Sequence, residues 1–594
     1  MSALGDLLQR LGAAGDVNEE LAVAASLRAL PPEIVKSVAP AEGRLAVLTG
    51  YTSRFLTELV AAHALARGVR LETKETLYGL YEQALFAQDP ELVAFKPTVV
   101  YFCVGSEHLL LESVEAEVAR WRRAWEAARA LFGCDVILNT FVEPSPRVFG
   151  NAELKIEGSR GRKLAELNLA LAREAPAYVH LHDVSNLALE LGRETMFDPK
   201  WFVLAKLPAN LNCLPEYARS LSAVIAAIHG RSKKGLVLDL DGTLWGGVVG
   251  DDGIDGIRIG ADSAEGESFR RFQTYLKELA ARGVFLAVCS KNEDAIARAA
   301  FERTDMVLKL SDIGAFAASW GTKDEAIRRI AADLNVLPES LVFVDDSPAE
   351  RELVRQRLPA VAVVELPADP AGYAAALARG RYFETTYVSK EDRLRVQSRS
   401  AERERSELEQ RAASYDDYLA SLQMRATIQP WTAAEVGRVA QLLAKTNQFN
   451  LTGRRFGDAE LAARIGNPEY LSLCLHLSDR FGDHGLVSVF LARCAEPVCE
   501  LENWVMSCRV FKRGAEALLF AEAARELLSR GVRAVRGTLI PTERNGYVKD
   551  LFPSLGFSHL STSPEGVETW QFELVAGAAK PSPIQLTPRD ARVG

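Results

Sequence analysis

Residues 235–247, GLVLDLDGTLWGG, constrain this chain more than any other stretch. An uninterrupted apolar run bounded by glycines reads as a strand covered on both faces, as in parallel sheets with helices above and below. It nevertheless ends in Asp239 and Asp241, two carboxylates one residue apart. Charge removed from water is costly, so carboxylates at the tip of a core strand call for a neutralising partner. In parallel α/β sheets such groups collect beyond the carboxyl ends of the strands, where ligands bind.

The following residues repeat the pattern. VFLAVCS (284–290), MVLKL (306–310), LVFVDD (341–346) and AVAVVEL (360–366) read as further strands, with helical stretches between most of them. Ser290 ends one strand, Asp345 and Asp346 end another, and Lys323 in SWGTKDEAI stands at the start of a helix. Four carboxylates on one sheet edge repel strongly in a low-dielectric cleft. A hard cation relieves that repulsion, and oxygen ligands with room for water suit Mg²⁺, held by Asp239, Asp241, Asp345 and Asp346. The residue types then fit phosphoryl chemistry. Asp239 is placed to attack phosphorus, and Asp241 to protonate the leaving oxygen and later activate water. Ser290 and Lys323 are placed to hold the equatorial oxygens, where transition-state charge collects.

At 594 residues the chain exceeds what one hydrophobic core can organise. Residues 1–43 read as a helical segment, 44–231 as a first α/β unit and 232–382 as the unit with the acidic tips. A charged helical connector is expected over 383–424, a third unit over 425–575 and a disordered tail over 576–594. The net charge is −9 and no basic block occurs, which argues against a nucleic-acid partner. No apolar run approaches the roughly 20 residues that span a bilayer, and the N-terminus is unlike a signal peptide. The eight cysteines are scattered and include no CxxC pair, so zinc is not expected and a reducing, cytoplasmic compartment is.

DLDGT, the strand-end Ser290, the helix-start Lys323 and the DD pair, in that order, resemble the haloacid dehalogenase superfamily of phosphoryl-transfer enzymes. The gaps from Asp241 to Ser290 and from Ser290 to Lys323 are too short for a bulky cap domain, which leaves a site open to a group on a large carrier. LDGTLWGGVVGDDG, FQTYLKELAARGVFLAVCSKNEDAI, VFVDDSPAERELVRQRLP, KTNQFNLTGRRF and MSCRVFKRGAE together resemble the FkbH-like family. That resemblance implies transfer of a glyceryl unit from 1,3-bisphosphoglycerate to the phosphopantetheine thiol of an acyl carrier protein in polyketide biosynthesis. It also implies an enzyme thioester. Cys289, in AVCSKN, matches a family cysteine, although alternation turns it from the face that Ser290 uses. Cys508 is the rival thiol.

The third unit resembles a GNAT acyltransferase fold. In it, the turn Lys512, Arg513, Gly514 and Ala515 would receive a pyrophosphate or the phosphate of a pantetheine arm at a helix N-terminus. Phe552 stands where many such enzymes carry a tyrosine acid, so independent acetyl transfer is not expected. The first unit resembles an SGNH-hydrolase-like domain. Trp201 replaces the required histidine there, so the domain is expected to be non-catalytic, with His180 and His182 structural. The fold expected is therefore multidomain α/β, with a central Rossmann-like domain lacking a large cap, flanked by these two. A simple phosphatase acting on a small phosphorylated metabolite or sugar is the alternative function. A non-enzymatic scaffold that binds carrier proteins is a third.

Overall fold

The computed structural model describes residues 3–143, 146–386, 414–446, 448–454, 456–480, 482–495, 497–507, 510–542, 545–575 and 582–587. The chain divides into two compact units, Met1–Ser232 with Glu384–Thr386, and Lys233–Phe383 with Tyr387–Gly594. Most of the expected charged connector and Cys508 lie outside the described residues.

The first unit carries five parallel strands, β1 (Ala41–Thr49), β2 (Val69–Glu75), β3 (Val99–Cys103), β4 (Asp135–Asn139) and β5 (Val179–His182), in the order β2-β1-β3-β4-β5. Both faces are covered. Leu45, Val47 and Tyr101 pack in one buried layer, and Ala46, Leu48 and Phe102 in the other. His182 is buried between Asn139 Oδ1 at 3.1 Å and Ser220 Oγ at 3.0 Å. His180 lies 3.3 Å from Asp135 Oδ1. Both therefore have structural partners. Helices Ala3–Ala13, Val17–Arg28 and Pro32–Val38 precede β1 and close a small apolar cluster with Ala62 and Leu65.

The second unit opens with another parallel sheet of β6 (Gly235–Leu238), β7 (Phe285–Ser290), β8 (Ala315–Ala318), β9 (Leu341–Val344) and β10 (Ala362–Val363), ordered β10-β9-β6-β7-β8. The apolar run beginning at Gly235 thus occupies the centre, where burial is most complete. Leu236 and Leu238 face Phe272, Leu276 and Val288, while Val237 faces Ile327, Ile330 and Phe343. Fully burying a leucine or valine side chain contributes about 1.5–3 kcal/mol, so this strand is specified by both of its faces.

One expected strand is corrected. MVLKL (306–310) is irregular, and the third strand is Ala315–Ala318. The earlier segment spends its backbone elsewhere, because the N–H groups of Val307 and Leu308 donate to Gln273 Oε1 at 3.1 and 3.0 Å. A buried glutamine thus takes the bonds a neighbouring strand would have used. The links from Asp241 to Ser290 and from Ser290 to Lys323 contain only helices, the longest being Ala264–Ala281, with turns, β7 and β8, and no inserted domain.

The unit also holds an eight-stranded mixed sheet. Its strands are β11 (Arg425–Pro430), β12 (Tyr470–Asp479), β13 (Gly482–Ala495), β14 (Val498–Met506), β15 (Ala534–Leu539), β16 (Ser558–Thr562), β17 (Glu568–Glu573) and β18 (Gln585–Leu586). β14 pairs with β15 only from Val498 to Leu501. Beyond that point the chain's own Phe449–Leu451 bonds to β14, with Leu451 N donating to Trp504 O at 3.3 Å and Met506 N to Phe449 O at 3.2 Å. The disordered-tail expectation is corrected for 582–587. Gln585 N donates to Met424 O at 3.0 Å and Thr587 N to Ala426 O at 2.8 Å, adding a parallel edge strand with Ile584 buried beneath it.

Candidate active site

β6 and β9 end side by side, so the residues after them share one edge of the sheet. Asp239 N donates to Val344 O at 2.9 Å, extending the pairing one residue past β6. Continued alternation sends Asp239 to the side of Val237 and Asp345 to the side of Phe343. Helix Lys323–Asp333 covers that side, and its first residue reaches both acids. Lys323 Nζ lies 2.9 Å from Asp239 Oδ2 and also pairs with Asp345 Oδ2.

All three groups are nearly sealed from water, with Asp345 0%, Lys323 3% and Asp239 8% exposed. Burial pushes the Asp239 carboxyl above the usual aspartate range, and Lys323 opposes that rise without cancelling it. Burial likewise raises Asp345, again against Lys323. Desolvation alone would lower the lysine, but Asp239 and Asp345 outweigh it and hold Lys323 charged.

Asp346 completes the cluster from an exposed position. One carboxylate oxygen each from Asp239, Asp345 and Asp346 lie within 4.8 Å of one another. Thr243 orients Asp346, donating from Oγ1 to Oδ1 at 3.3 Å and accepting from Asp346 N at 3.1 Å. Ser347 N donates to Asp345 Oδ1 at 2.8 Å, and Arg351 donates to the carbonyls of Asp345 and Asp346 at 2.8 and 2.7 Å. Gly242 turns the chain between these groups at φ +70, and a Cβ there would stand 2.5 Å from Asp346 Oδ2. Glycine is required on both counts, by the left-handed backbone and by the close approach.

One ammonium against three carboxylates leaves the cluster acidic. Three converging oxygens, one of them open to water, fit a hard divalent cation. The expectation that Asp241 also ligates through its side chain is corrected. Its Oδ1 accepts from Trp245 Nε1 at 2.8 Å and Val249 N at 3.0 Å, and its Oδ2 accepts from Asn292 Nδ2 at 2.7 Å. Those donors hold the carboxylate away from the trio. Ser290 joins Asp241 through the same amide, since Asn292 Nδ2 lies 3.1 Å from Ser290 Oγ. Asn292 follows Ser290 by two residues, a spacing that could have marked it from sequence. Nothing local marks Arg351.

Cys289 takes a less expected position. β7 runs unbroken through Ser290, so the two side chains face opposite sides. Cys289 therefore shares the side of Asp239 and Asp345, packed among Val237, Ala287, Ala326 and Ile327 and only 1% exposed. Its Sγ lies 3.8 Å from the Lys323 carbonyl, directly under the start of the covering helix. Burial pushes the thiol up to about 12, while Lys323 opposes the shift. It rests as a packed, protonated group.

The turn Lys512–Ala515 precedes helix Ala515–Ser529, with Gly514 at φ +89 as its cap. The same chain occupies this turn. Ser582 Oγ donates to Gly514 O at 2.9 Å, Pro583 packs against Gly514, and Tyr415 Oη donates to Lys512 O at 3.2 Å.

Residues 44–226 match the family model for the FkbH N-terminal domain. The chain is 31% identical to the crystal structure of the N-terminal part of BF1531 from Bacteroides fragilis, described as containing a phosphatase domain complexed with Mg. That match covers 60% of this chain and 99% of the other, with TM-score 0.55. Two acetyltransferases match a smaller share. The PaiA N-acetyltransferase from Thermoplasma acidophilum, in complex with coenzyme A, is 13% identical over 25% of this chain and 98% of its own, with TM-score 0.21. A GNAT superfamily phosphinothricin acetyltransferase from Sinorhizobium meliloti, in complex with acetyl-CoA, is 16% identical over 26% and 93%, with TM-score 0.21. Among curated proteins none matches the chain. With nearly all of the phosphatase-domain chain covered and the FkbH N-terminal domain beside it, this chain belongs to the FkbH-like family of haloacid-dehalogenase-type enzymes.

Proposed function

We propose that the β6–β10 domain is an Mg²⁺-dependent phosphatase whose product is a glyceryl unit destined for the phosphopantetheine thiol of an acyl carrier protein, with 1,3-bisphosphoglycerate as donor. One observation carries the phosphatase reading: Asp239 is buried, yet held against Lys323 with the oxygens of Asp345 and Asp346 within 4.8 Å. Asp239, Asp345 and Asp346 would hold the ion, which supplies positive charge beside the phosphoryl oxygens when bound. The BF1531 crystal structure, with its Mg, supports that assignment.

The chain's own residues divide the remaining work. An Asp239 oxygen attacks phosphorus, the bond from phosphorus to the ester oxygen breaks, and an aspartyl-phosphate forms. Asp241 turns from its resting donors to give the leaving oxygen a proton, then takes one from the water that releases inorganic phosphate. Lys323 and Ser290 hold the transferred group by charge and hydrogen bond. The absence of an inserted domain in the links around Ser290 supports a substrate presented on a large carrier.

The acyl half of the reaction uses the mixed anhydride of the donor. A thiolate attacks its carbonyl carbon, phosphate departs and a thioester remains. Cys289 lies under Lys323 on the side of Asp239, which favours it as that thiol once the first turn of the covering helix lifts. Its burial favours the second reading, a phosphatase of a small phosphorylated metabolite without an enzyme thioester.

Intact-mass spectrometry separates them. Wild type, Cys289→Ala and Asp239→Asn are incubated with Mg²⁺ and 1,3-bisphosphoglycerate, with and without a phosphopantetheinylated carrier protein. A thiol-labile glyceryl adduct absent from Cys289→Ala and chased onto the carrier establishes the transferase. Phosphate release with no adduct on enzyme or carrier leaves the plain phosphatase.

A further inference from the structure

The β11–β18 sheet carries a side-chain cluster that the phosphatase chemistry does not use. Cys474 and His476 lie two residues apart on β12, so they project from the same face of the sheet. Glu435 sits at the start of helix Val436–Lys445, which packs in a shared apolar cluster with that face through Val439 and Leu443. Glu435 Oε1 lies 3.1 Å from His476 Nε2 and 3.9 Å from Cys474 Sγ, and the two β12 atoms are 3.9 Å apart.

We propose that Glu435, Cys474 and His476 form a zinc-binding site. The three atoms converge on one point, and their separations suit tetrahedral ligands held at about 2.0–2.3 Å from a central Zn²⁺. A hydrolytic triad would use the two imidazole nitrogens separately, one toward the thiol and one toward the acid. Here both partners face Nε2, which cannot accept from the thiol and donate to the carboxylate at once. A metal resolves that competition by accepting a lone pair from each. The carboxylate is also aimed by its surroundings, since Glu435 Oε2 accepts from Thr432 N at 2.9 Å and Thr432 Oγ1 at 3.0 Å, leaving Oε1 for the cluster. Such outer support is what ordinarily orients metal ligands.

The donor set selects the ion. One sulfur, one imidazole and one carboxylate suit zinc over Mg²⁺ or Ca²⁺, which take oxygen ligands. Binding releases the Cys474 thiol proton to solvent, leaving a thiolate, a neutral imidazole and a carboxylate around the ion. Three protein ligands leave one position for water, and the partly exposed Glu435 and His476 side chains keep an approach to it. The site ties the start of helix Val436–Lys445 to the middle of β12.

Cobalt substitution tests it. The full-length protein is freed of metal with a chelator and supplied with excess Mg²⁺, which fills the all-oxygen cluster at Asp239. Titration with Co²⁺ is expected to give one equivalent bound, with a near-ultraviolet thiolate-to-cobalt charge-transfer band that Zn²⁺ abolishes. Cys474→Ser should remove the band while its circular dichroism and metal-free melting stay at wild-type values. His476→Gln, at a partly exposed position, should weaken binding more than about tenfold. No thiolate band in folded wild-type protein overturns the proposal. So does a band that survives Cys474→Ser, which would assign it to Cys494 and Cys499, whose sulfurs lie 3.3 Å apart. Wild-type affinity in a folded His476→Gln variant would overturn it as well.

Discussion

Replacing Lys323 with methionine keeps most of the side-chain stem and removes the one ammonium that Asp239 and Asp345 share. Both acids are buried, so the variant leaves charge without a partner in a site that excludes water. Removing one member of a buried pair ordinarily costs about 3–5 kcal/mol. For a domain of 150–250 residues that lowers the melting temperature by about 6–20 °C, taking about 2–4 °C per kcal/mol.

The deficit has a pH signature. The carboxyls of Asp239 and Asp345 already sit above their ordinary range, and loss of the lysine charge raises them further. An acid with a raised folded pKa binds its proton more tightly in the native state. The stability gained from that proton is present at low pH and is lost as pH rises through the folded value. The melting temperatures of variant and wild type should therefore converge as pH falls from 7 toward the unfolded aspartate value of about 3.9. Saturating Mg²⁺ should also narrow the gap at pH 7. Differential scanning calorimetry of both proteins, with chelator and with Mg²⁺, makes the measurement, and the transition that Mg²⁺ shifts in wild type identifies the domain. A wild-type melting temperature for metal-free Lys323→Met at pH 7, or a gap that persists on acidification, would refute the charge-balance argument.

Asp239→Asn should lower phosphate release on the order of a thousandfold or more, while metal-free melting holds or rises because one repelling charge has gone; a phosphate-release assay paired with melting checks both halves. Gly242→Ala meets φ +70 and an oxygen 2.5 Å from the new Cβ, so it should cost about 1–3 kcal/mol and displace Asp346, raising the Mg²⁺ concentration needed for half-maximal activity. Cys289→Ala should lose on the order of 1 kcal/mol of packing in chemical denaturation yet release phosphate at the wild-type rate from a simple phosphate ester, a substrate with no acyl group to transfer.

The metal-cluster half of the site was legible because strand endings are a local property. Apolar runs locate β6 and β9, and the residues directly after them fall at one sheet edge in a parallel fold. The glycine after Asp241 was legible as part of DGT, but its reason, the approach of Asp346, was not. The hold on Asp241 was not read from sequence: Trp245 reaches it from four residues away, but Asn292, although its spacing from Ser290 is local, meets Asp241 only when residues 51 positions apart are brought together.

By itself the sequence determined that parallel α/β units are joined in one chain, that Asp239, Asp345 and Asp346 stand at strand tips, and that Cys289 and Ser290 point to opposite faces. These follow from periodicity, which a few neighbouring residues enforce through burial of alternate side chains. Only the tertiary structure decided that Asp241 turns from the cluster, that MVLKL yields its strand position to Ala315–Ala318, that residues 582–587 join a sheet edge, and that Glu435 meets Cys474 and His476. Each depends on a polar group finding a partner distant in sequence. Hydrogen-bond satisfaction is a property of the packed whole, because a buried donor or acceptor must be met by whatever the fold brings near it.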